Sequence, residues 1–325
     1  MSRVIGLGNA LVDILIKMES DSLLEQLNLP KGSMQLVDKE KSTEIINLLK
    51  GDEFSQISGG SASNTIHGLA QLGVETSFVG KVGNDDFGQF FQNDMVKSGI
   101  IPQLQLSKTE SGRAIALISP DSERTFATYL GAAVELIPSD ITPELFKGYD
   151  YLHIEGYLVQ NHDLIRKAVS VAKSLKMKIS LDLASYNVVE ANLDFLREIS
   201  KEYVDILFAN EEEGKSFTGL SGVAALSEMA QLVDIAVYKQ GKSGSIIQNG
   251  AKVYRASAIE ANAVDTTGAG DLYASGFLFG LINNYPLDIC GSIGSLTSGK
   301  VVEVIGPKLD ESVWIEIKKE ISKLQ

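Results

Sequence analysis

The chain has few of the residues that staple a fold, ligate metals or bind nucleic acid. One cysteine, Cys290, occurs in 325 residues. No intramolecular disulfide framework exists, and the lone thiol in an apolar context reads as a small core residue in a reducing compartment. Only three histidines are present. None has a serine or cysteine setting suited to a nucleophile, so a hydrolase triad is set aside. No run of eighteen apolar residues occurs, which argues against a transmembrane helix and a membrane partner. Positive charge is scarce: 29 Lys and Arg stand against 42 Asp and Glu, a formal net charge of −13. A phosphate backbone needs a basic surface, so no nucleic-acid partner is expected. A small phosphate anion is still allowed, because local N–H groups and a divalent ion hold it against the global field. The first residues lead straight into a strand-like run with no signal peptide, and a cytoplasmic location is expected.

What is present is an ordinary globular composition, 44% hydrophobic and 22% charged, long enough for a large core. There is no internal repeat, low-complexity segment or linker, so residues 1–325 are expected to form a single domain. Strand-like runs at Arg3–Leu7, Thr76–Val82, Tyr151–Ile154, Lys178–Asp182, Asp205–Ala209 and Ile235–Lys239 alternate with helical patterns near 61–72, 85–98, 161–176, 190–201 and from Asn210. This rhythm predicts an α/β fold with a mainly parallel sheet covered on both faces. Helices are also expected over 38–49, 268–304 and 310–324, the last two separated at Gly306-Pro307. Arg113–Ser119 and Arg124–Leu130, joined by the turn Pro120-Asp121-Ser122-Glu123, read as a hairpin. With residues 12–18 and 32–37, the stretch 102–130 is expected to build a small separate sheet that covers the large one as a lid.

Two glycine turns open helices. Asp265-Thr266-Thr267-Gly268-Ala269-Gly270-Asp271 precedes the apolar helical run from Leu272. Backbone N–H groups at such a turn point one way, at the positive end of the helix dipole, and hold an anion. A carboxylate there, Asp271, is placed to take a proton from an attacking hydroxyl. A tight turn capped by aspartate explains the same residues without chemistry. Ser58-Gly59-Gly60-Ser61 opens the second helix, with Asn64 one turn on and facing whatever the turn faces; its carboxamide suits sugar hydroxyls. Asn9 and Asp13 leave the first strand where open α/β sheets place ligand groups, although a polar turn explains them equally. Asn210 and Glu213 share a helix face and are placed to order Mg²⁺ through its water shell; an N-cap with dipole-favoured acids accounts for them too.

Other glycine patterns fail on inspection. Gly6-x-Gly8 lacks the third glycine of a dinucleotide fingerprint, since Leu11 stands there. Gly241-Lys242-Ser243 lacks the glycine of a P-loop five positions earlier, where Ala236 stands. Gly294–Lys300 has the spacing but is followed by Val301 in place of Ser or Thr.

Taken in order, the two signatures with Asn210-x-x-Glu213 between them resemble those of the ribokinase-like (PfkB) carbohydrate and nucleoside kinases over essentially the whole chain. Gly8-Asn9-Ala10-Leu11-Val12-Asp13 looks like the substrate segment of the adenosine-kinase-like group. The resemblance implies a three-layer α/β/α core with a lid and transfer of the ATP γ-phosphoryl to a primary hydroxymethyl. It assigns Asp271 as base and Gly268, Ala269 and Gly270 as anion hole. Asn210 and Glu213 would place Mg²⁺, and Lys239, Gly241 and Gly244 would line the nucleotide side. Asn9, Asp13, Gly60 and Asn64 would hold the acceptor, with Gly59 shaping the turn and Arg124 as a lid arginine. Asp265 and Thr267 match a monovalent-cation loop, so K⁺ is a further candidate. The implied acceptor is a ribonucleoside, adenosine foremost, or a sugar such as ribose, fructose or 2-keto-3-deoxygluconate. Phe126 or Tyr129 could wall a nucleoside base. The edge of the lid sheet offers a route to a homodimer, and a monomer is equally consistent. A non-catalytic protein on the same fold is the remaining alternative.

Overall fold

The computed structural model describes residues 2–49, 54–121 and 123–324. Its large sheet has nine strands. From one edge they run Lys252–Ala256, Ser245–Asn249, Ile235–Lys239, Ile206–Ala209, Lys178–Asp182, Tyr151–Glu155, Val4–Leu7, Thr76–Gly83 and Ile100–Ser107. Ser245–Asn249 pairs antiparallel with both of its neighbours, and every other pairing is parallel. Central strands such as Val4–Leu7 and Ile206–Ala209 are buried along their whole length. That is why they read as continuous apolar runs rather than alternating ones.

Helices cover the sheet. One core gathers His162–Ser174 and Leu193–Glu202 against it through Val169, Ala172, Leu196 and Ile199. Another gathers Ser61–Gln71 and Ala269–Ile282 through Ile66, Leu69, Ala274 and Phe277. The helix expected near 190–201 is two, Tyr186–Ala191 and Leu193–Glu202, divided at Asn192. The long C-terminal run is also two, Ala269–Ile282 and Leu287–Val301, because Asn283 to Pro286 interrupts it. Pro286 is the N-cap of the second. Among the described residues no helix is long and apolar enough to cross a membrane.

The small sheet has five strands, in the order Met34–Leu36, Arg124–Tyr129, Gly112–Ile118, Leu11–Lys17 and Phe54–Gly59. Two features differ from the sequence expectation. Residues 102–107 are not part of it: Ile100–Ser107 pairs parallel with Thr76–Gly83 as the edge of the large sheet. Phe54–Gly59 is an unanticipated edge strand, paired antiparallel with Leu11–Lys17. Its polar, glycine-ended run PheSerGlnIleSerGly carries little strand propensity of its own. The hairpin itself forms as expected, with Ser122 of its turn outside the described residues.

Where the two sheets meet, Glu155 at the end of its strand acts as a buried strut. It accepts hydrogen bonds from the Asn9 N–H (3.0 Å), the Asn9 amide (2.6 Å) and the Ala62 N–H (2.9 Å). It thus ties the exit of the first strand to the first turn of the helix Ser61–Gln71. Glu155→Ala leaves the buried Asn9 and Ala62 N–H groups without acceptors. It is expected to lower unfolding free energy by about 3 kcal/mol, measured by urea denaturation; a loss near zero would mean the strut is dispensable.

Candidate active site

The C-terminal ends of the central strands open into a cavity of about 1140 Å³. Asp182, Asn210 and Lys239 enter it from successive strand ends. The start of the helix Ala269–Ile282 enters from the side, and Gly60, Ser61 and Asn64 come from the other glycine turn. Open α/β sheets gather ligand groups at this edge because helix N-termini and loop ends converge there.

Asp271 lies where the two glycine-opened helices face each other. Its carboxylate accepts from the Ser61 hydroxyl at 2.7 Å and the Asn64 amide at 2.8 Å. Thr65 also donates its hydroxyl to the Asp271 carbonyl at 3.2 Å. Burial pushes the Asp271 carboxyl up to about 6, against the lowering effect of the Ser61 and Asn64 hydrogen bonds. The Asn64 Oδ1 is buried without a partner.

The preceding turn depends on Gly268. Its φ is +76°, and a Cβ there would lie 2.6 Å from the Pro307 Cβ. No other residue type accommodates both constraints. Gly268 and Gly270 bring their N–H groups to the free end of the helix. The Ala269 N–H, expected to join them, instead donates to the Thr266 carbonyl at 3.1 Å within the turn.

On the nucleotide side of the expectation, Lys239, Gly241 and Gly244 all line the cavity. The Lys239 ammonium sits 3.2 Å from where a Cβ on Gly270 would stand. It forms a 2.7 Å ion pair with Asp182, a residue that sequence reasoning did not single out. Its one available signal was its place as the last residue of a predicted strand. Asn210 and Glu213 form a reciprocal capping box: the Asn210 side chain accepts from the Glu213 N–H, and Glu213 accepts from the Asn210 N–H. Both also face the cavity, so capping and a ligand role coexist. Burial raises the Glu213 carboxyl to about 7.

On the acceptor side, Asp13 lines the cavity. A Cβ on Gly59 would fall 2.2 Å from its carboxylate, so a side chain at 59 would push the Asp13 carboxylate out of its present position. Burial raises Asp13 to about 7. Asn9 is not among the residues that line the cavity; its side-chain NH2 donates to Glu155, while its Oδ1 is buried without a partner. Tyr129 is likewise not a cavity wall, because its ring lies under the Arg113 guanidinium at 5.1 Å. Phe126 instead lines an adjoining cavity of about 350 Å³ with Arg124, Asp265 and Thr267.

Arg124 pairs with Asp265 at 2.7 Å and donates to the Thr267 hydroxyl at 3.2 Å. The Asp265 carboxylate also accepts from the Gly306 N–H, the Thr267 N–H and the Thr267 hydroxyl. The pair named for K⁺ is thus bonded to a guanidinium in this structure.

None of the three histidines lines the cavity. His67 is buried with its ring edge toward Trp314, and burial holds its pKa down to about 3. His153 bonds Ser180 inside the sheet, and His162 stacks on Phe195.

The architecture matches solved structures of small-molecule kinases. A probable sugar kinase from Rhizobium etli superposes with a TM-score of 0.88 at 31% identity, covering 98% of each chain. The adenosine kinase from Sinorhizobium meliloti gives 0.87 at 32% identity, covering 98% of this chain and 99% of that one. Among curated relatives, the 5-dehydro-2-deoxygluconokinase of Bacillus licheniformis is 28% identical over 265 residues, 77% of this chain and 82% of its own length. Residues 32–313 match the family model described as pfkB family carbohydrate kinase. The chain belongs to that family and is a kinase of the sugar and nucleoside class.

The raised carboxyls make a stability prediction. Asp13, Glu155 and Glu213 each have a folded pKa near 7, held up first by burial. Unfolded carboxyls titrate near 4, so between these values the folded state binds more protons and stability falls as pH rises through about 7. The depressed histidines His67 and His153 act in the opposite sense, but only below about 6.5. The thermal midpoint at pH 6.5 is expected to exceed that at pH 8, and Asp13→Asn should shrink the difference. Equal midpoints in the unmodified protein would contradict the raised carboxyls.

Proposed function

We propose that this kinase transfers the γ-phosphoryl of ATP to the primary hydroxymethyl of a ribonucleoside, adenosine foremost. The observation that carries the phosphotransfer reading is the Asp271 carboxylate at the start of a glycine-opened helix, held by Ser61 and Asn64 and facing the cavity. With its pKa near 6, Asp271 is ionised at neutral pH and accepts the proton of the attacking hydroxyl. Gly268 and Gly270 direct N–H groups at the charge that develops on the transferred phosphoryl. Lys239 turns from Asp182 toward the triphosphate on the same side. A loose phosphoryl transition state needs this positioning and neutralisation more than covalent help.

Family membership implies ATP, generally with Mg²⁺. The cavity-facing Glu213 carboxylate and Asn210 amide are oxygen donors of the kind a hydrated magnesium ion accepts, and they would hold it through water. The ion supplies neutralisation of the triphosphate. On the acceptor side, Asp13 and Asn64 receive the ribose hydroxyls.

The nucleoside preference rests on the face of the small sheet that carries Asp13. Leu15, Ala116 and Ile118 form an apolar cluster there, with Ile57 and Phe126 packed on it. Asp13 pairs across the strands with Ile57 and Ala114. An apolar wall two residues from a hydroxyl-binding carboxylate suits a base attached to a sugar better than a free sugar. Closure of this sheet as a lid would bring Arg124 from Asp265 to the phosphoryl and exclude water. The sugar-kinase reading is favoured by the deoxygluconokinase relative.

Asp271→Asn is expected to cut turnover by a hundredfold or more while MgATP affinity changes by less than about twofold. Near-normal turnover would remove Asp271 as the base. ADP release across adenosine, other ribonucleosides, ribose, fructose and 2-keto-3-deoxygluconate tests the acceptor. Turnover confined to ribonucleosides is the expected result, and a sugar preference would overturn the nucleoside assignment.

A further inference from the structure

The segment Gly306-Pro307-Lys308 joins the two halves of the cavity. The Gly306 N–H donates to Asp265 at 2.8 Å, and Pro307 packs against Gly268, so two of its residues brace the phosphate turn. The next residue reaches the other way. The Lys308 ammonium bonds the Ser58 hydroxyl at 2.6 Å and pairs with Asp94 of the helix Asp86–Lys97. Asp94 is fixed in turn by the Ser58 N–H at 3.0 Å and the Ser58 hydroxyl at 2.7 Å. Ser58 precedes Gly59, the residue against which the Asp13 carboxylate is pressed. Lys308 does not line the cavity, and its side chain is only 15% exposed. A buried lysine with one carboxylate partner is not needed to hold a lid or cap a helix here. A packed apolar residue would serve that purpose at lower desolvation cost.

We propose that Lys308 is a positioning residue for the acceptor: clamped by Asp94 and Ser58 behind the Gly59 strand, it supplies the counter-charge that keeps Asp13 ionised and hydrogen-bond accepting. This rests on the reading of Asp13 as an acceptor ligand. An ionised carboxylate accepts from two sugar hydroxyls at once, whereas a protonated one must donate on one oxygen and loses a partner.

The groups that face Asp13 are Lys308 and Arg124, which favour its charge, and Asp271, which opposes it. Burial acts first against the charge of Lys308, Asp94 and Asp13 favour it, and Lys97 opposes it; His67 also faces Lys308, with its own pKa held down by burial. Arg124 is paired with Asp265, which leaves Lys308 as the larger of the two favourable influences on Asp13. Even so, burial dominates and the Asp13 carboxyl stands near 7. Removing Lys308 moves it further up, out of the ionised state at neutral pH.

The test is the acceptor KM and kcat as functions of pH in Lys308→Met, Lys308→Arg and Asp13→Asn, with acceptor binding followed in parallel by calorimetry. At pH 7.5, Lys308→Met is expected to raise acceptor KM and Kd about tenfold, leave the MgATP KM within about twofold, and recover most of the loss by pH 9. Lys308→Arg, which keeps the charge, should restore binding at pH 7.5. A Lys308→Met loss that is the same at every pH, or shared equally by MgATP, would overturn the proposal. So would a Lys308→Arg variant that folds but binds no better than Lys308→Met. If Lys308→Met does not fold, the neutral Lys308→Gln carries the test: an acceptor pH profile unchanged from that of the unmodified protein would overturn it. Asp13→Asn separates the two levels. No acceptor effect there removes Asp13 from the acceptor site. A strong Asp13→Asn effect beside an ordinary Lys308→Met profile leaves Asp13 in place and removes only the role of Lys308.

Discussion

The site depends on keeping carboxylates close together and away from water. Asp13, Asp182, Glu213 and Asp271 all face one cavity, and Glu155 lies directly behind it. Four of these five are raised by burial. The cations set against them are few and individually placed: Lys239 on Asp182, Arg124 on Asp265, Lys308 between Asp94 and Asp13. In so acidic a chain, the proposed binding of a polyanionic nucleotide would rest on local groups rather than on the global field: backbone N–H groups at helix starts, one lysine and a divalent ion.

The fold makes these placements with main-chain geometry. Parallel strands end at the same edge, so Glu155, Asp182, Asn210 and Lys239 arrive there from four neighbouring strands. Two helices begin at facing glycine turns, which brings Asn64 and Asp271 into contact across 207 positions of sequence. The Gly306-Pro307-Lys308 segment then links the turn at Asp265 to the strand that carries Ser58 and Gly59.

The alternation of strands and helices and the two glycine-turn signatures were readable because both are local. Apolar runs mark buried parallel strands, and glycine turns before apolar helices mark helix starts with free N–H groups. What escaped sequence reasoning was long-range. Residues 102–107 lie near the hairpin in sequence yet pair with Thr76–Gly83, because an edge strand with half-exposed side chains resembles a lid strand. Phe54–Gly59 is a strand only by virtue of its partner Leu11–Lys17. Asn9 and Asp13 look alike at a strand exit, but only the structure reveals that the Asn9 side-chain NH2 bonds Glu155 and that Asp13 lines the cavity. Asp182 and Lys308 carry no motif. Their roles follow from buried ion pairs between distant segments.

The central claim is that a single ionised carboxylate, Asp271, accepts the acceptor's proton at the meeting point of the two glycine turns. The most direct measurement is kcat for phosphoryl transfer to the preferred acceptor between pH 5 and 9, at saturating MgATP and acceptor. The account predicts an acid limb governed by one proton, with its midpoint near 6 and a plateau above it. A rate independent of pH across that interval would contradict the assignment, because no group with the titration of Asp271 would then limit the transfer.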